Sequence, residues 1–412
     1  MTDAAGQAWS YGYDVSGPLK SVAGPGSVSR SWTFDPTSHL VTAEMHPESG
    51  TVQHTHYFAG GVLERKVDAN GTVFVYAYDD NRRVTQITAT PASGPAQVTT
   101  FTYEPGSDRR ATATVDGVTT AWTYDAVGRL AMRTDTVDGL AFTVTYAYDA
   151  QDNLASVTYP SGRQVGYAYD ALSRIVRVFN VVTDVTYADQ FVYHPSGALS
   201  SYRAGNGVVT TLTYHPTRQW LDRLEVGPAG ALLDLDYAYD GVGNITGIAD
   251  PRPGLSQTFL YDPLDRLTSA QGGYGTLTYT YDAHGNRQTV NSLTYGYAPG
   301  NPFRLEQVGT VALTYDPNGN LDAAGGHSYA YTPDNLMRQA TVNGTTTQYQ
   351  YDVDAWRLKK AVGSGTPAYY VRGPNGQLLT EWVNTTPAAA LKEYLYAGGR
   401  LIGVVSTTAP AK

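Results

Sequence analysis

Several stretches of this chain have residue types and spacings that could do chemistry. Asp316-Pro317-Asn318-Gly319-Asn320-Leu321-Asp322 offers side-chain oxygens at alternate positions, a spacing that suits a hard cation such as Ca²⁺. Its glycine stands fourth rather than sixth, so the same segment also reads as a tight turn. His54 and His56 would share one face of a strand, and with His39 and His46 nearby a zinc site is conceivable. No third ligand at a fixed spacing completes it. A glycosidase-type acid and nucleophile could be drawn from the 37 Asp and Glu residues. There is no G-x-S-x-G nucleophile elbow, no phosphate-cradling G-x-x-x-x-G-K-[ST] loop and no dinucleotide fingerprint.

Many of these carboxylates belong to one recurring element. About every 20 residues the chain repeats Y-D-x-x-G-[R/N]-[L/I], a period that marks a repeat array. One clear copy is Tyr124-Asp125 with Gly128 and Arg129, and another is Tyr239-Asp240 with Gly243 and Asn244. Tyr169-Asp170 with Arg174, Tyr261-Asp262 with Arg266, and Tyr281-Asp282 with Gly285 and Asn286 follow the same pattern. The aspartate can accept backbone N–H groups two residues on, and the glycine can supply a positive φ for a bulge. Four residues after the aspartate, Arg or Asn can pair with it across the turn. An acid that recurs at one turn position reads as a turn cap. These residues are therefore assigned a structural turn role, and no catalytic or metal-binding residue is assigned.

The elements between the turns read as strands. Ahead of Tyr148, Phe142, Val144 and Tyr146 fall on one face and Thr143, Thr145 and Ala147 on the other, the period of a half-buried strand. Asp116-Gly117, Asn70-Gly71 and Asn343-Gly344 read as hairpin tips. A unit is then two strands and two turns, and about nineteen units fit the chain. From Tyr57 to Tyr239 the steps alternate between 21 and 24 or 25 residues, which predicts longer tips in alternate units, such as Thr136-Val137-Asp138-Gly139 and Gly227-Pro228-Ala229-Gly230. After Tyr261 the steps shrink to 16–20 residues. The expectation is one continuous array over residues 1–405, with its closing end at roughly 261–405 and a tail at 406–412.

Composition narrows the function. Apolar residues make up 42% of the chain, Tyr numbers 33, and charged residues are 16%, below the roughly 25% of ordinary soluble domains. The net charge of −9 comes with no basic run, which argues against a nucleic-acid partner. With zero cysteines there is no disulfide framework, cysteine nucleophile or thiolate metal site. No run of 18 apolar residues spans a membrane. The first ten residues show no signal peptide, and a repeat so close to Met1 predicts a chain excised from something longer.

The motif, many times in register, resembles the YD repeat of the Rhs family, over nearly the whole chain. That family includes bacterial Rhs and wall-associated polymorphic toxins, the C components of insecticidal toxin complexes and the teneurin shell. Glu393-Tyr394-Leu395-Tyr396-Ala397-Gly398-Gly399-Arg400-Leu401-Ile402 also resembles the segment leading into the Rhs-associated core. The resemblance implies an all-β fold, a long spiralling antiparallel sheet of YD hairpins forming a hollow shell or part of one. It also implies shell repeats only, without the self-cleaving core or the toxin domain. Asp250-Pro251-Arg252-Pro253-Gly254 resembles the family's cleavage signal, but lies mid-array where a Pro/Gly loop is expected. The function implied is a non-enzymatic encapsulating module of a larger secreted or surface protein, without cofactor. Its partner would be an enclosed C-terminal toxin polypeptide or a cell-surface glycan. The rival readings are a carbohydrate-binding or adhesive module, its tyrosines stacking on sugars, and a self-cleaving protease or glycosidase.

Overall fold

The structure, a computed structural model, describes residues 8–24, 28–383 and 388–410, without the side chains of 388–390 and 407–410. Among them are 38 strands and one 3-10 turn, Pro228–Gly230. The pairings described are antiparallel and join strands consecutive in sequence, as in Leu140–Tyr148 with Leu154–Thr158. The period-two pattern decides which face is buried. Phe142, Val144 and Tyr146 are 8%, 0% and 7% exposed, while the intervening threonines are half-buried and Ala147 is exposed.

Two kinds of turn alternate. Asp116-Gly117, Asp138-Gly139 and Asn343-Gly344 all have both φ values positive, 49° to 77°, which matches the twist of paired strands. Asn70-Gly71 differs. Only Gly71 is left-handed (φ 78°), and the loop closes through Asp68 N–H to the Thr72 carbonyl, the pattern of the YD turns. The longer step ending at Tyr148 does not come from a longer tip. Its tip is the two residues Asp138-Gly139, and the extra length lies in strands Leu130–Val137 and Leu140–Tyr148. Before Tyr239 the extra residues do form a tip, around Pro228–Gly230. Strands shorten to 4 residues at Arg287–Val290 and Leu321–Ala324, then lengthen to 10 and 11 in Ala388–Ala397 and Arg400–Pro410.

By packing, the chain divides into two compact units, each made from two separated stretches: residues 1–121 with 279–365, and 122–278 with 366–412. In the first unit, turns of the two stretches interlock. Asn70 N–H donates to Asn318 Oδ1 at 3.0 Å, and Asn318 N–H donates back to Asn70 Oδ1 at 3.2 Å. Arg110 and Asp354 form an ion pair at 2.8 Å. Phe74, Val115 and Leu358 are among its buried residues.

In the second unit the Phe142 ring packs on Tyr369 and Trp382, with centroids 5.5 and 5.6 Å away. The Tyr159 hydroxyl donates to the Tyr394 carbonyl at 2.9 Å. Arg163 Nε and Ser161 Oγ each donate to the fully buried Glu393 carboxylate at 2.5 Å. The bonded residues lie 234–254 positions apart in the first unit and 230–235 in the second.

Candidate functional site

The repeat turn engages an aspartate with an arginine or asparagine in unit after unit. At Asp125, Oδ1 accepts N–H bonds from Val127 (3.1 Å) and Arg129 (2.9 Å), and Oδ2 accepts Arg129 Nε at 2.7 Å. Asp170 and Asp262 repeat this with Arg174 and Arg266, at 2.8 and 2.7 Å. Asp240 and Asp282 do so with the amides of Asn244 and Asn286, at 2.9 and 2.8 Å. The residue three after the aspartate is left-handed: Gly128 at φ 90°, Gly243 at 104° and Gly285 at 86°. Ser173, Asp265 and Ala355 take the same conformation at φ 58–62° without being glycine. Hydrogen bonds from the Arg174 side chain and backbone hold the Asp170 carboxyl below its ordinary value. At Asp125 desolvation pushes upward, but the bonds from Arg129 outweigh it and the pKa is lowered.

The motif tyrosine and arginine bind the neighbouring repeat. Tyr148, Tyr169, Tyr239 and Tyr261 donate their hydroxyls to the carbonyls of Leu130, Leu154, Leu221 and Ile245 at 2.8–3.0 Å. Each acceptor is the apolar residue that closes the preceding motif. Burial pushes the Tyr169 phenol up to about 12, so it stays a neutral donor. The arginines stack forward: Arg129 lies 4.6 Å from the Tyr148 ring centroid and Arg174 4.9 Å from that of Tyr193. A bulge sits opposite the motif tyrosines Tyr148, Tyr169, Tyr239, Tyr261 and Tyr281. Ala147 pairs with Ser156 but Tyr148 with Leu154, which leaves Ala155 as the extra residue. Tyr124 ends strand Val118–Tyr124, and Tyr281 pairs with Arg287 across its own turn.

The other candidates are engaged in the fold. Asp316 accepts Asn320 N–H, Asn320 Nδ2 and Asn70 Nδ2 at 2.8–3.0 Å, so N–H donors engage both of its carboxylate oxygens. His54 and His56 do not continue one alternation, because Thr55 is bulged out between them. His54 is half-buried between Tyr57 Oη (3.1 Å) and Glu44 Oε1 (3.3 Å), whereas His56 is exposed. The Asp250 carboxylate is buried and paired with Arg252, whose side chain holds its pKa down. A carboxylate so held is a poor proton donor. Two buried ion pairs escape a motif-based reading: Arg133–Asp135, with side chains 3% and 2% exposed, and Arg163–Glu393. The first left a signal, an Arg-x-Asp pair facing Val144 and Phe142 across the strand pair.

Residues 148–189 match the RHS Repeat family. That segment carries an RHS repeat. The comparison of folds covers nearly the whole chain. The Tc holotoxin pore of Photorhabdus luminescens is similar over 98% of this chain and 24% of its own, with TM-score 0.80 and 17% identity. A TcdB2–TccC3 crystal structure gives TM-score 0.79 at 17% identity, over 98% of this chain and 25% of that one. The same complex without its hypervariable C-terminal region gives 0.79 at 16%, over 98% and 24%. The chain thus spans about a quarter of the length of the chains it matches. No curated protein matches its sequence. An all-β, antiparallel hairpin array is the fold these toxin-complex structures share with it.

Proposed function

We propose that this chain is a non-enzymatic wall, an encapsulating shell module of a larger Rhs-type toxin or surface protein exported or displayed by its cell. The observation that carries the reading is the match of 98% of the chain, at TM-score 0.80, to a toxin-complex structure. The state of its acids agrees. The repeat aspartates are tied to turn N–H groups and to Arg or Asn, an arrangement that closes turns and leaves no free proton donor at them. The partner that fits such a wall is a C-terminal polypeptide, held away from solvent and proteases. Fusing a protease-sensitive polypeptide after Lys412 tests this. Its cleavage should slow at least tenfold relative to the same polypeptide free, while the chain keeps its own mass over days. Equal cleavage rates reject encapsulation. A second reading, a carbohydrate-binding module, draws support from a tyrosine-lined cavity within the second unit.

A further inference from the structure

Five asparagines of this chain precede a glycine: Asn70, Asn206, Asn318, Asn343 and Asn375. An Asn-Gly pair can convert without an enzyme. The glycine nitrogen, on losing its proton, attacks the asparagine Cγ, and the carboxamide nitrogen leaves as ammonia. Water then opens the succinimide at one of its two carbonyls, giving aspartate or isoaspartate. Glycine is the least hindered attacker because it has no Cβ. A fold opposes the step where hydrogen bonds hold the glycine N–H or the carboxamide, since those bonds must break first.

Four of the five are held. Gly71, Gly207, Gly319 and Gly376 donate their N–H groups to the carbonyls of Asp68, Ala204, Asp316 and Gly373 at 2.8–3.0 Å. The carboxamides of Asn70 and Asn318 are clamped as well, donating to Asp316 Oδ2 at 3.0 Å and Asp68 Oδ2 at 2.8 Å. Asn206 Oδ1 accepts Val208 N–H at 3.1 Å. Asn343-Gly344 differs. It forms the whole tip between strands Met337–Val342 and Thr345–Tyr351, whose last pair is Val342–Thr345. Both tip residues are exposed. Among the described residues, neither the Gly344 N–H nor the Asn343 side chain has a hydrogen-bond partner. Two tips of the same turn type carry an acid instead, and both acids are held. Asp116 Oδ2 accepts Gln97 Nε2 at 2.6 Å, and Asp138 Oδ2 accepts the Tyr369 hydroxyl at 2.8 Å.

We propose that Asn343 is a modification site of the folded chain, where isoaspartate forms spontaneously ahead of the other four Asn-Gly pairs. The step takes up one water, releases one ammonia and needs no oxidant or reductant. At the other pairs the glycine must first break its N–H bond, which slows the step roughly tenfold, the worth of one neutral hydrogen bond. Aspartate at position 343 leaves the tip as it is, because Asp116-Gly117 and Asp138-Gly139 build the same turn. Isoaspartate does not. It routes the main chain through the side-chain carbon and adds an atom to a loop whose two-residue length fixes the register. The pairs nearest the tip then loosen: Val342–Thr345, and Thr341–Thr346, whose hydroxyls bond at 3.1 Å. This site does not depend on encapsulation or on carbohydrate binding.

Ageing the whole chain at mildly alkaline pH and mapping its peptides by mass tests the proposal. Isoaspartate is read separately, by methyl transfer from S-adenosylmethionine through an isoaspartyl methyltransferase. Asn343 should convert roughly tenfold faster than each of the other four asparagines. In urea, with the native hydrogen bonds gone, the five should convert at similar rates. Amide exchange in the aged chain should quicken in Met337–Val342 and Thr345–Tyr351 and stay unchanged in Gln164–Tyr169 of the second unit. Freshly made Asn343→Asp should keep the parent's Tm and exchange, which assigns the loosening to the isoaspartate backbone rather than to the new charge. The proposal falls if Asn343 converts no faster than the other four in the folded chain, or if it leads by the same factor in urea. It falls equally if the isoaspartate-bearing chain exchanges like the fresh one, or if fresh Asn343→Asp loosens the hairpin as much as ageing does.

Discussion

At the repeat turn one carboxylate ties the loop to itself. Asp125 accepts two backbone N–H groups and an arginine nitrogen within five residues of chain. The geometry requires a left-handed residue three positions on, and this one cause predicts effects of opposite sign at two sites. Gly128 sits at φ 90°, so Gly128→Val should destabilise by about 1–2 kcal/mol, since a β-branched residue resists that region. Ala355 occupies the same turn position at φ 62°, so Ala355→Gly should stabilise by about 0.5–1 kcal/mol after the added freedom of the unfolded chain is subtracted. Thermal melts of the two variants check the pair, and shifts of the same sign contradict the account. Acid should act together on the turns whose aspartates are held this way. The Asp79, Asp170 and Asp240 carboxyls are all held below their ordinary value of 3.8 by hydrogen bonds from Arg83, Arg174 and Asn244. A lowered folded pKa stabilises above the unfolded value and loses that contribution as pH falls through the folded one. Tm should therefore hold steady from pH 8 to 5 as far as these groups set it, and fall below about pH 4. A Tm that rises on acidification there would show that the carboxylates repel rather than cap.

Strands and hairpins carry the next level, and here the sequence is legible in part. Turn chemistry is local, so Asp125, Gly128 and Arg129 announce their loop within five residues. Alternation before Tyr148 likewise marks its strand and buried face. The tyrosine is harder to read, because its hydroxyl bonds a carbonyl 14–18 residues upstream in most units. Nothing near the tyrosine encodes that acceptor. It becomes visible only once two consecutive hairpins are paired. The bulge at Thr55 was hidden for the same reason, since register depends on the partner strand, and it parts His54 from His56. If the hydroxyl locks one hairpin to the last, Tyr148→Phe should cost about 1 kcal/mol by leaving the Leu130 carbonyl without that donor. Amide exchange should quicken in Leu130–Val137 and Leu140–Tyr148 ahead of strands elsewhere in the unit. A melt indistinguishable from the parent would make the bond incidental.

The whole molecule depends on bonds that no motif foretells. Each unit joins stretches of chain 230–254 residues apart, and a contact at such separation leaves no local periodicity to read. In the second unit the join is concentrated at Glu393, whose carboxylate is 0% exposed and takes Arg163 Nε and Ser161 Oγ. The adjacent Tyr394 carbonyl accepts the Tyr159 hydroxyl. Strand Ala388–Ala397 is thus fastened to the Tyr159–Arg163 turn by groups that satisfy one another out of water. Removing one partner of such a pair is worse than never having it, because the other is left desolvated. Glu393→Ala should then destabilise by about 3 kcal/mol, the lower end for a broken buried pair, since the Arg163 side chain keeps 20% exposure and can recover some water. Glu393→Gln keeps an acceptor for either donor and should lose less. Native-state hydrogen exchange gives the sharper readout. Protection should fall first in Ala388–Ala397 and in Gln164–Tyr169, with Val73–Tyr78 of the first unit as the internal control. If Glu393→Ala leaves exchange in Ala388–Ala397 unchanged, the C-terminal strand is held by its hairpin partner Arg400–Pro410 alone, and the buried carboxylate has no part in fastening the two stretches.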